Sequence, residues 1–285
     1  MSKFLINRIK DKAFQVWGLI ATLIGIVLLA VFIGDIFMDG IQRLDLDFLR
    51  SLPSRFPEES GIKVAMMGSV WIMGLTALIS FPLGVAAGIY LEEYAKKNKF
   101  SSFLEMNISN LAGVPSIIYG LLGIMIFVRT LGFGNSLLSG AMTLSLLILP
   151  IIIVATREAI KAVPDSIRQG SYGMGASKWQ TIWYQVLPAS FGGILTGVIL
   201  ALSRAVGEAA PLIAVGALAY VPFAPASPMD EFTVLPIQIF NWTSRPQHGF
   251  IINAAAAILV LLAITLLMNG MAVLLRYRWQ KKLTG

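Results

Sequence analysis

The chain has 285 residues, of which 56% are hydrophobic and only 13% charged, and its mean hydropathy is +0.77. This composition excludes an ordinary soluble domain and indicates a membrane protein. The net charge of +7 could suggest a nucleic-acid-binding protein, but the basic residues flank apolar segments, so we expect no nucleic-acid partner. Cysteine is absent, which excludes disulfide bonds and thiolate metal ligands.

Six apolar runs are long enough to cross a lipid bilayer as helices, which need roughly 20 residues each. They lie at about 14–38, 62–91, 107–128, 136–156, 190–219 and 250–275. The runs are continuous rather than alternating, which favours helices over barrel strands. The sequence therefore predicts an all-α, polytopic membrane protein with six transmembrane helices. Residues 1–61 are predicted to form a tail, a first helix and an exported loop, and residues 62–285 a five-helix core.

The basic residues that flank these runs indicate the orientation in the membrane. The N-terminal tail, the loops at 92–106 and 157–189 and the C-terminal tail hold fifteen Lys and Arg, whereas the other flanks hold six. Because Lys- and Arg-rich loops remain in the cytoplasm, both termini are predicted to be cytoplasmic. The first apolar run is too long for a signal-peptide core, so we interpret it as a retained helix.

The longest cytoplasmic loop, residues 157–190, has the features of a docking segment. Pro164 is expected to begin a short helix, Gly173 and Gly175 to interrupt it, and a second amphipathic stretch to end at Pro188. The loop contains more apolar side chains than exposure to water favours: Ile167, Tyr172, Met174, Trp179 and Ile182. It is expected to dock onto another protein or to lie on the membrane surface.

The fifth run contains ALSRAVGEAAPLIA (201–214), with Arg204 and Glu208 one helical turn apart. A lone charge at mid-membrane costs roughly 2.5–3.5 kcal/mol, so both side chains are expected to face protein or water on one helix face. In one interpretation they neutralise each other or pair with another subunit. In the other they line a translocation path, where Arg204 donates to an oxyanion and Glu208 restrains the arginine.

Several motifs are missing from the chain. No G-x-x-x-x-G-K-[ST] loop occurs, so ATP hydrolysis by this chain is not expected. The single histidine, His248, has no neighbouring histidine or carboxylate cluster, and we predict no metal site and no cofactor. Apart from charges near the ends of the runs, Arg204 and Glu208 are the charged residues within the spans, too few for an enzyme, because a nucleophile and a base or a metal cluster would be needed. Farther along the chain, Phe240 and Trp242 are expected at the outer membrane interface, where aromatic rings are favoured.

The cytoplasmic loop resembles the EAA loop of ABC importer permeases, E-A-A-x3-G-x9-I-x-L-P, which inserts a coupling helix into an ATPase subunit. Gly175 and Leu187-Pro188 stand at the matching spacing, whereas Gln169-Gly170-Ser171 replaces the E-A-A triplet and Gln185 the isoleucine. The resemblance implies a coupling loop whose residues include Pro164, Gln169, Gly170, Ser171, Gly175, Ala176, Trp179, Leu187 and Pro188.

Four segments, at 110–123, 147–164, 202–213 and 233–246, resemble the PstA family, the permease subunits of phosphate-specific ABC importers. The resemblance runs from about residue 62 to the C-terminus. It implies a type I importer permease (MetI-like) fold in a prokaryotic cell membrane, with Arg204 and Glu208 in the substrate pathway. The implied partners are a PstC-like permease, two PstB-like ATP-binding subunits and an extracytoplasmic PstS-like phosphate-binding protein. A sulfate or molybdate permease, or a secondary carrier with an intramembrane ion relay, remains an alternative.

Overall fold

The computed structural model describes residues 2–96, 98–217 and 220–284, and within these ranges every regular element is helical. Lys97, one of the basic loop residues, and the last two residues of the 190–219 run lie outside the described part. The helices are α1 (Ser2–Gly40), α2 (Leu46–Arg50), α3 (Lys63–Ile89), α4 (Lys99–Leu111), α5 (Ser116–Gly123), α6 (Leu137–Lys161), α7 (Asp165–Gly173), α8 (Lys178–Thr181), α9 (Leu187–Val206), α10 (Ala210–Val215), α11 (Leu235–Thr243) and α12 (His248–Thr284). Three of them, α3, α5 and α8, continue as π-helical segments at Tyr90–Tyr94, Ile124–Thr130 and Ile182–Val186.

Five helical stretches in the described residues are long and apolar enough to cross a membrane. They are Lys10–Arg43, Lys63–Tyr94, Leu137–Lys161, Lys178–Val206 and His248–Arg278. The remaining expected span, 107–128, is bent: α4 and α5 meet this criterion only as a pair, and their axes differ by 103°. Pro115 causes the break, because it has no N–H and disfavours helical backbone at Val114. The predicted all-α class is therefore confirmed. The number of membrane-spanning stretches in the described residues is five, or six if α4 and α5 together form one span.

The central helix of the bundle is α6, which packs between α3 and α9 and is buried at positions from Leu137 to Ile160. Glycines four residues apart allow this close approach: Gly84 and Gly88 on α3, and Gly193 and Gly197 on α9. A Cβ atom at any of the four would lie 2.2–2.8 Å from a side-chain atom of α6. Small residues at this spacing let membrane helices pack backbone to backbone.

The first helix lies mostly outside this bundle. The most apolar window of α1 has no buried residue, and α1 approaches α12 near its own C-terminal end, where Gly40 lies against the backbone of Ala255 and Ala256. Lipid or another subunit can therefore cover most of α1.

A second apolar cluster joins α2, α11 and α12 at the end of the bundle where α3 begins. Trp242 is 1% exposed, and its ring centroid lies 6.0 Å from that of Phe48 and 6.2 Å from that of Phe250. The Trp242 ring is therefore covered by protein rather than exposed, and the expected position of this segment at the outer membrane interface stays a prediction. Phe240 is 62% exposed, since residues two apart point to different sides of a helix.

Candidate functional site

The cytoplasmic loop forms two short helices joined by a tight turn. Pro164 precedes the first residue of α7, and Gly175 lies between α7 and α8 with φ +83°, a left-handed conformation that favours glycine. Ser177 caps α8: its hydroxyl accepts from the N–H of Gln180, and the Gln180 side chain accepts from the N–H of Ser177. The helix–turn–helix expected from Pro164 and Gly175 is thus present.

The residues that replace the E-A-A triplet lie in the last turns of α7. The hydroxyl oxygens of Ser171 and Thr181 are 2.8 Å apart, and the N–H of Ala176 donates to the Ser171 carbonyl at 3.2 Å. Gln169 and Gly170 are exposed. Ser171 therefore fixes the angle between α7 and α8, and Gln169 and Gly170 are available to a partner.

The second stretch of the loop does not end at Pro188, as the sequence suggested. Residues Lys178–Val206 form one helical stretch that includes α8 and α9. Proline is tolerated within it because the preceding segment is π-helical: the N–H of Leu187 donates to the carbonyl of Ile182, five residues back. The loop is consequently continuous with the helix that carries Arg204.

The outer surface of the loop is apolar and aromatic. Met174 is 89% exposed, and the exposed rings of Trp179 and Trp183 stack with their centroids 5.4 Å apart. A cavity of about 390 Å³ lies beside them, lined by Ser171, Met174, Gly175, Ala176, Gln180, Tyr184 and Gln185. Exposed apolar surface of this kind is typical of a protein–protein interface.

An ion pair between residues far apart in the sequence holds α7 against the bundle. The Arg168 guanidinium contacts the Glu93 carboxylate at 2.9 Å and donates to the carbonyls of Val163 at 2.7 Å and Ile160 at 3.0 Å. The Lys178 ammonium also donates to the Glu93 carbonyl. A signal for this contact was present in the sequence: two adjacent carboxylates, Glu92 and Glu93, end an apolar run beside a lysine-rich loop.

The neighbouring carboxylate, Glu92, takes part in a second cluster at the same end of the bundle. Arg157 on α6 lies 3.4 Å from Glu92 and 2.9 Å from Glu105 on α4. Together with the Glu93–Arg168 pair, this cluster connects the π-helical end of α3 to α4, α6 and α7.

The charged pair of the fifth run lies at a helix end. Arg204 is in the last turn of α9, which ends at Val206, and Glu208 lies in the break before α10. One helix was expected to carry both residues, whereas α9 ends between them. Gly207 is the C-cap residue of α9. Pro211 lies in the first turn of α10 and has no N–H, so it cannot donate a hydrogen bond that would continue α9.

The geometry of this pair leaves the arginine partly available. Arg204 Nε lies 3.5 Å from Glu208 Oε1, and the side chains are 44% and 20% exposed. In the described part of the chain, the two terminal nitrogens of Arg204 donate no hydrogen bond to another residue. Planar donors of this kind suit an oxyanion.

The interrupted helices are neighbours. A Cβ atom at Gly120 of α5 would lie 2.8 Å from the backbone of Pro211, so α5 packs closely on α10. Each follows a break, at residues 112–115 and 207–209. Non-helical backbone within a membrane domain is tolerated where it is buried in protein or lines a water-filled cavity.

Interrupted spans in a helical membrane bundle are typical of transport proteins. Residues 80–281 match the family of binding-protein-dependent transport system inner membrane components, and the chain belongs to this family. It is accordingly a multi-pass protein of the bacterial inner membrane.

Relatives in several bacteria resemble the chain over most of its length. The Bacillus subtilis protein YqgI is 32% identical over 90% of this chain and 92% of its own length. The phosphate transport system permease protein PstA of Haemophilus influenzae is 32% identical over 86% of each chain. PstA 1 of Mycobacterium tuberculosis, with the same description, is 33% identical over 79% of this chain and 73% of its own.

Two solved transporters share the fold. A chain of the MetNI methionine ABC transporter in an inward-facing conformation superposes with a TM-score of 0.63 at 17% identity, covering 76% of this chain and 97% of its own. A chain of a bacterial alginate ABC transporter superposes with a TM-score of 0.65 at 14% identity, covering 90% and 92%. The type I ABC importer permease (MetI-like) fold expected from the sequence is thereby confirmed.

Proposed function

We propose that the chain is the permease subunit of an ATP-driven importer of inorganic phosphate. The observation that carries this proposal is the 32–33% identity with PstA proteins over most of the chain. In this proposal the chain has no nucleotide site of its own, and separate PstB-like subunits hydrolyse ATP. A PstC-like permease completes the translocation path, and a PstS-like protein delivers phosphate from outside.

The orientation of the chain follows from its charges. Both termini and the α7–α8 loop are cytoplasmic, because the Lys- and Arg-rich flanks lie on that side. The exposed aromatic rings beside Gly175 then face the ATPase subunits, and residues 39–61 and α11 face the phosphate-binding protein. Residues 62–285 contain the five remaining spans and the coupling loop.

Coupling follows from the continuity of α8 and α9. Residues Lys178–Val206 form a stretch of 29 residues, which at 1.5 Å per residue is roughly 43 Å long. Arg204 lies two residues before its end. When the ATPase subunits move α8, the continuous helical stretch Lys178–Val206 moves as a rigid element and displaces Arg204 with it.

The substrate role is assigned to Arg204 and Glu208. Arg204 offers its two terminal nitrogens to phosphate oxygens, while Glu208 holds Nε at 3.5 Å and offsets the positive charge. A weak site is required here, because a transport pathway must also release its ion.

The experiment is ATP-dependent uptake of labelled phosphate by the full complex in proteoliposomes. Arg204→Gln is expected to abolish uptake while assembly and ATPase docking persist, and Arg204→Lys to restore part of it, because a point charge lacks the planar fork. Arg129→Gln, at an exposed arginine in the π-helical segment Ile124–Thr130, is the matched control and should transport normally.

Two results would contradict the proposal. Wild-type uptake by a fully assembled Arg204→Gln complex would exclude the pathway role. Uptake of labelled sulfate or molybdate, without uptake of phosphate, would exclude phosphate as the substrate.

A further inference from the structure

Helix α4 has an orientation unlike that of the spans around it. Its axis is inclined by 103° to the helical segment Ser116–Thr130 that follows. If Ser116–Thr130 forms the third span without α4 and runs along the membrane normal, α4 lies nearly in the membrane plane. It is also next to the lysine-rich loop, at the end of the bundle where Arg157 joins α3, α4 and α6.

One face of α4 is fixed to the bundle. Ser101 is buried, its N–H donates to the Asn98 side chain at 2.9 Å, and its hydroxyl donates to the Lys96 carbonyl at 2.6 Å. One turn further on, Glu105 pairs with Arg157 at 2.9 Å. The contacts of Ser101 are local to the N-terminus of α4, and the Glu105–Arg157 pair holds this face against α6.

The opposite face of α4 is uncovered in this chain and carries four large apolar side chains, with the exposed Asn107 and Asn110 between them. The exposed large side chains recur every three to five residues, at Phe100, Phe103, Met106 and Leu111. Such a stripe on a helix parallel to the membrane is typical of an interfacial helix with its apolar side chains at the boundary of the acyl chains.

Exposed lysines lie beside this stripe. Lys99 is the first residue of α4 and Lys96 precedes the helix. Lys96 and Lys161 line a polar cavity of about 270 Å³ on the side of α4 that carries Ser101 and Glu105. The carboxylates in that cavity, Glu92 and Glu105, both pair with Arg157, so their charge is partly neutralised. The charge around the N-terminal end of α4 is therefore positive, which complements an anionic headgroup.

We propose that α4 is an interfacial helix that binds anionic phospholipids of the cytoplasmic leaflet. Phe100 and Phe103 insert at the acyl-chain boundary, while Lys96, Lys99 and Lys161 contact the headgroup phosphates. The combination of exposed aromatic rings and lysines selects lipid over a protein partner, since protein interfaces are depleted in lysine. The inference rests on the orientation proposed above for the transport function.

The natural absence of cysteine makes the test specific. Phe103→Cys is labelled with a fluorophore in the assembled complex, in nanodiscs containing nitroxide-labelled phosphatidylglycerol or the same fraction of nitroxide-labelled phosphatidylcholine. Phosphatidylglycerol is expected to quench more strongly, with association favoured by about fivefold for each lysine that contacts a headgroup. Lys96→Gln with Lys99→Gln should bring the ratio close to one, whereas Lys63→Gln, an exposed lysine at the other end of α3, should leave it unchanged.

Three outcomes would overturn the inference. Equal quenching by the two lipids would remove the anionic preference, and no quenching by either would mean that protein or water covers α4. Loss of the preference on adding inorganic phosphate would mean that the lysines bind the free ion instead.

The orientation is tested separately. Ser102→Cys, on the exposed polar side of α4, should react with a membrane-impermeant maleimide only from the cytoplasm. Reaction only from outside would overturn the orientation itself, whereas cytoplasmic reaction with equal quenching would overturn only the lipid inference.

Discussion

Replacing Glu93 by glutamine should loosen the coupling helix α7 from α3. The Glu93 carboxylate oxygen Oε1 lies 2.9 Å from Nη2 and 3.2 Å from Nε of Arg168, and the two side chains are 8% and 15% exposed. Glutamine keeps the size and one acceptor oxygen but removes the charge. The substitution therefore tests the ion pair without creating a cavity.

The expected loss follows from the contacts that remain. Breaking a buried ion pair costs about 3–5 kcal/mol when the remaining charge has no other partner. Arg168 keeps the carbonyls of Val163 and Ile160 at 2.7 and 3.0 Å and the Asp165 carboxylate at 3.2 Å. We therefore expect a loss of about 2 kcal/mol, which shifts the docking equilibrium of α7 by about 30-fold.

Hydrogen exchange of the assembled complex measures this shift directly. Amides of Asp165–Gly173 should exchange up to about 30-fold faster in Glu93→Gln, and phosphate transported per ATP should fall. Glu158→Gln, at an exposed glutamate near the same end of α6, is the matched control and should change neither quantity. Unchanged exchange of α7 in a fully assembled Glu93→Gln complex would refute the reasoning.

The remaining predictions concern packing and the turn of the loop. Gly197→Ala should destabilise the purified protein by about 1–3 kcal/mol, because the new Cβ would lie 2.2 Å from an α6 side chain. In the control Gly74→Ala the new Cβ meets nothing within 4 Å, so the melting temperature should stay the same or rise. Trp242→Ala should cost about 3–5 kcal/mol in denaturant unfolding, whereas the exposed Phe240→Ala should cost far less. Gly175→Ala should lower the amount of ATPase that co-purifies, because alanine in the left-handed conformation costs about 1–2 kcal/mol. Gly175→Asn should lower it less, since asparagine tolerates that conformation better, and equal losses in the two variants would contradict backbone strain as the cause.

The features that could be predicted from the sequence are those decided within one segment of chain. An apolar run must satisfy its own backbone hydrogen bonds in lipid, so hydropathy alone was enough to predict the helical class and most of the spans. The turn at Gly175 and the cap at Ser177 depend on neighbouring residues only. The close helix packing also had a local signal, in the paired glycines of α3 and α9, although the sequence analysis did not use it.

The tertiary structure decided which distant groups meet. Glu93 and Arg168 are 75 residues apart, and their contact exists only because α6 places the start of α7 beside the end of α3. The break after Val206 was not predicted, because hydropathy is the same for a continuous and an interrupted apolar helix. The Trp242 side chain is apolar enough to face lipid or to lie in a protein core. Its packing against Phe48 and Phe250 places it in the core. Hydropathy records how much a residue avoids water, whereas the neighbour that covers it depends on the arrangement of the whole bundle.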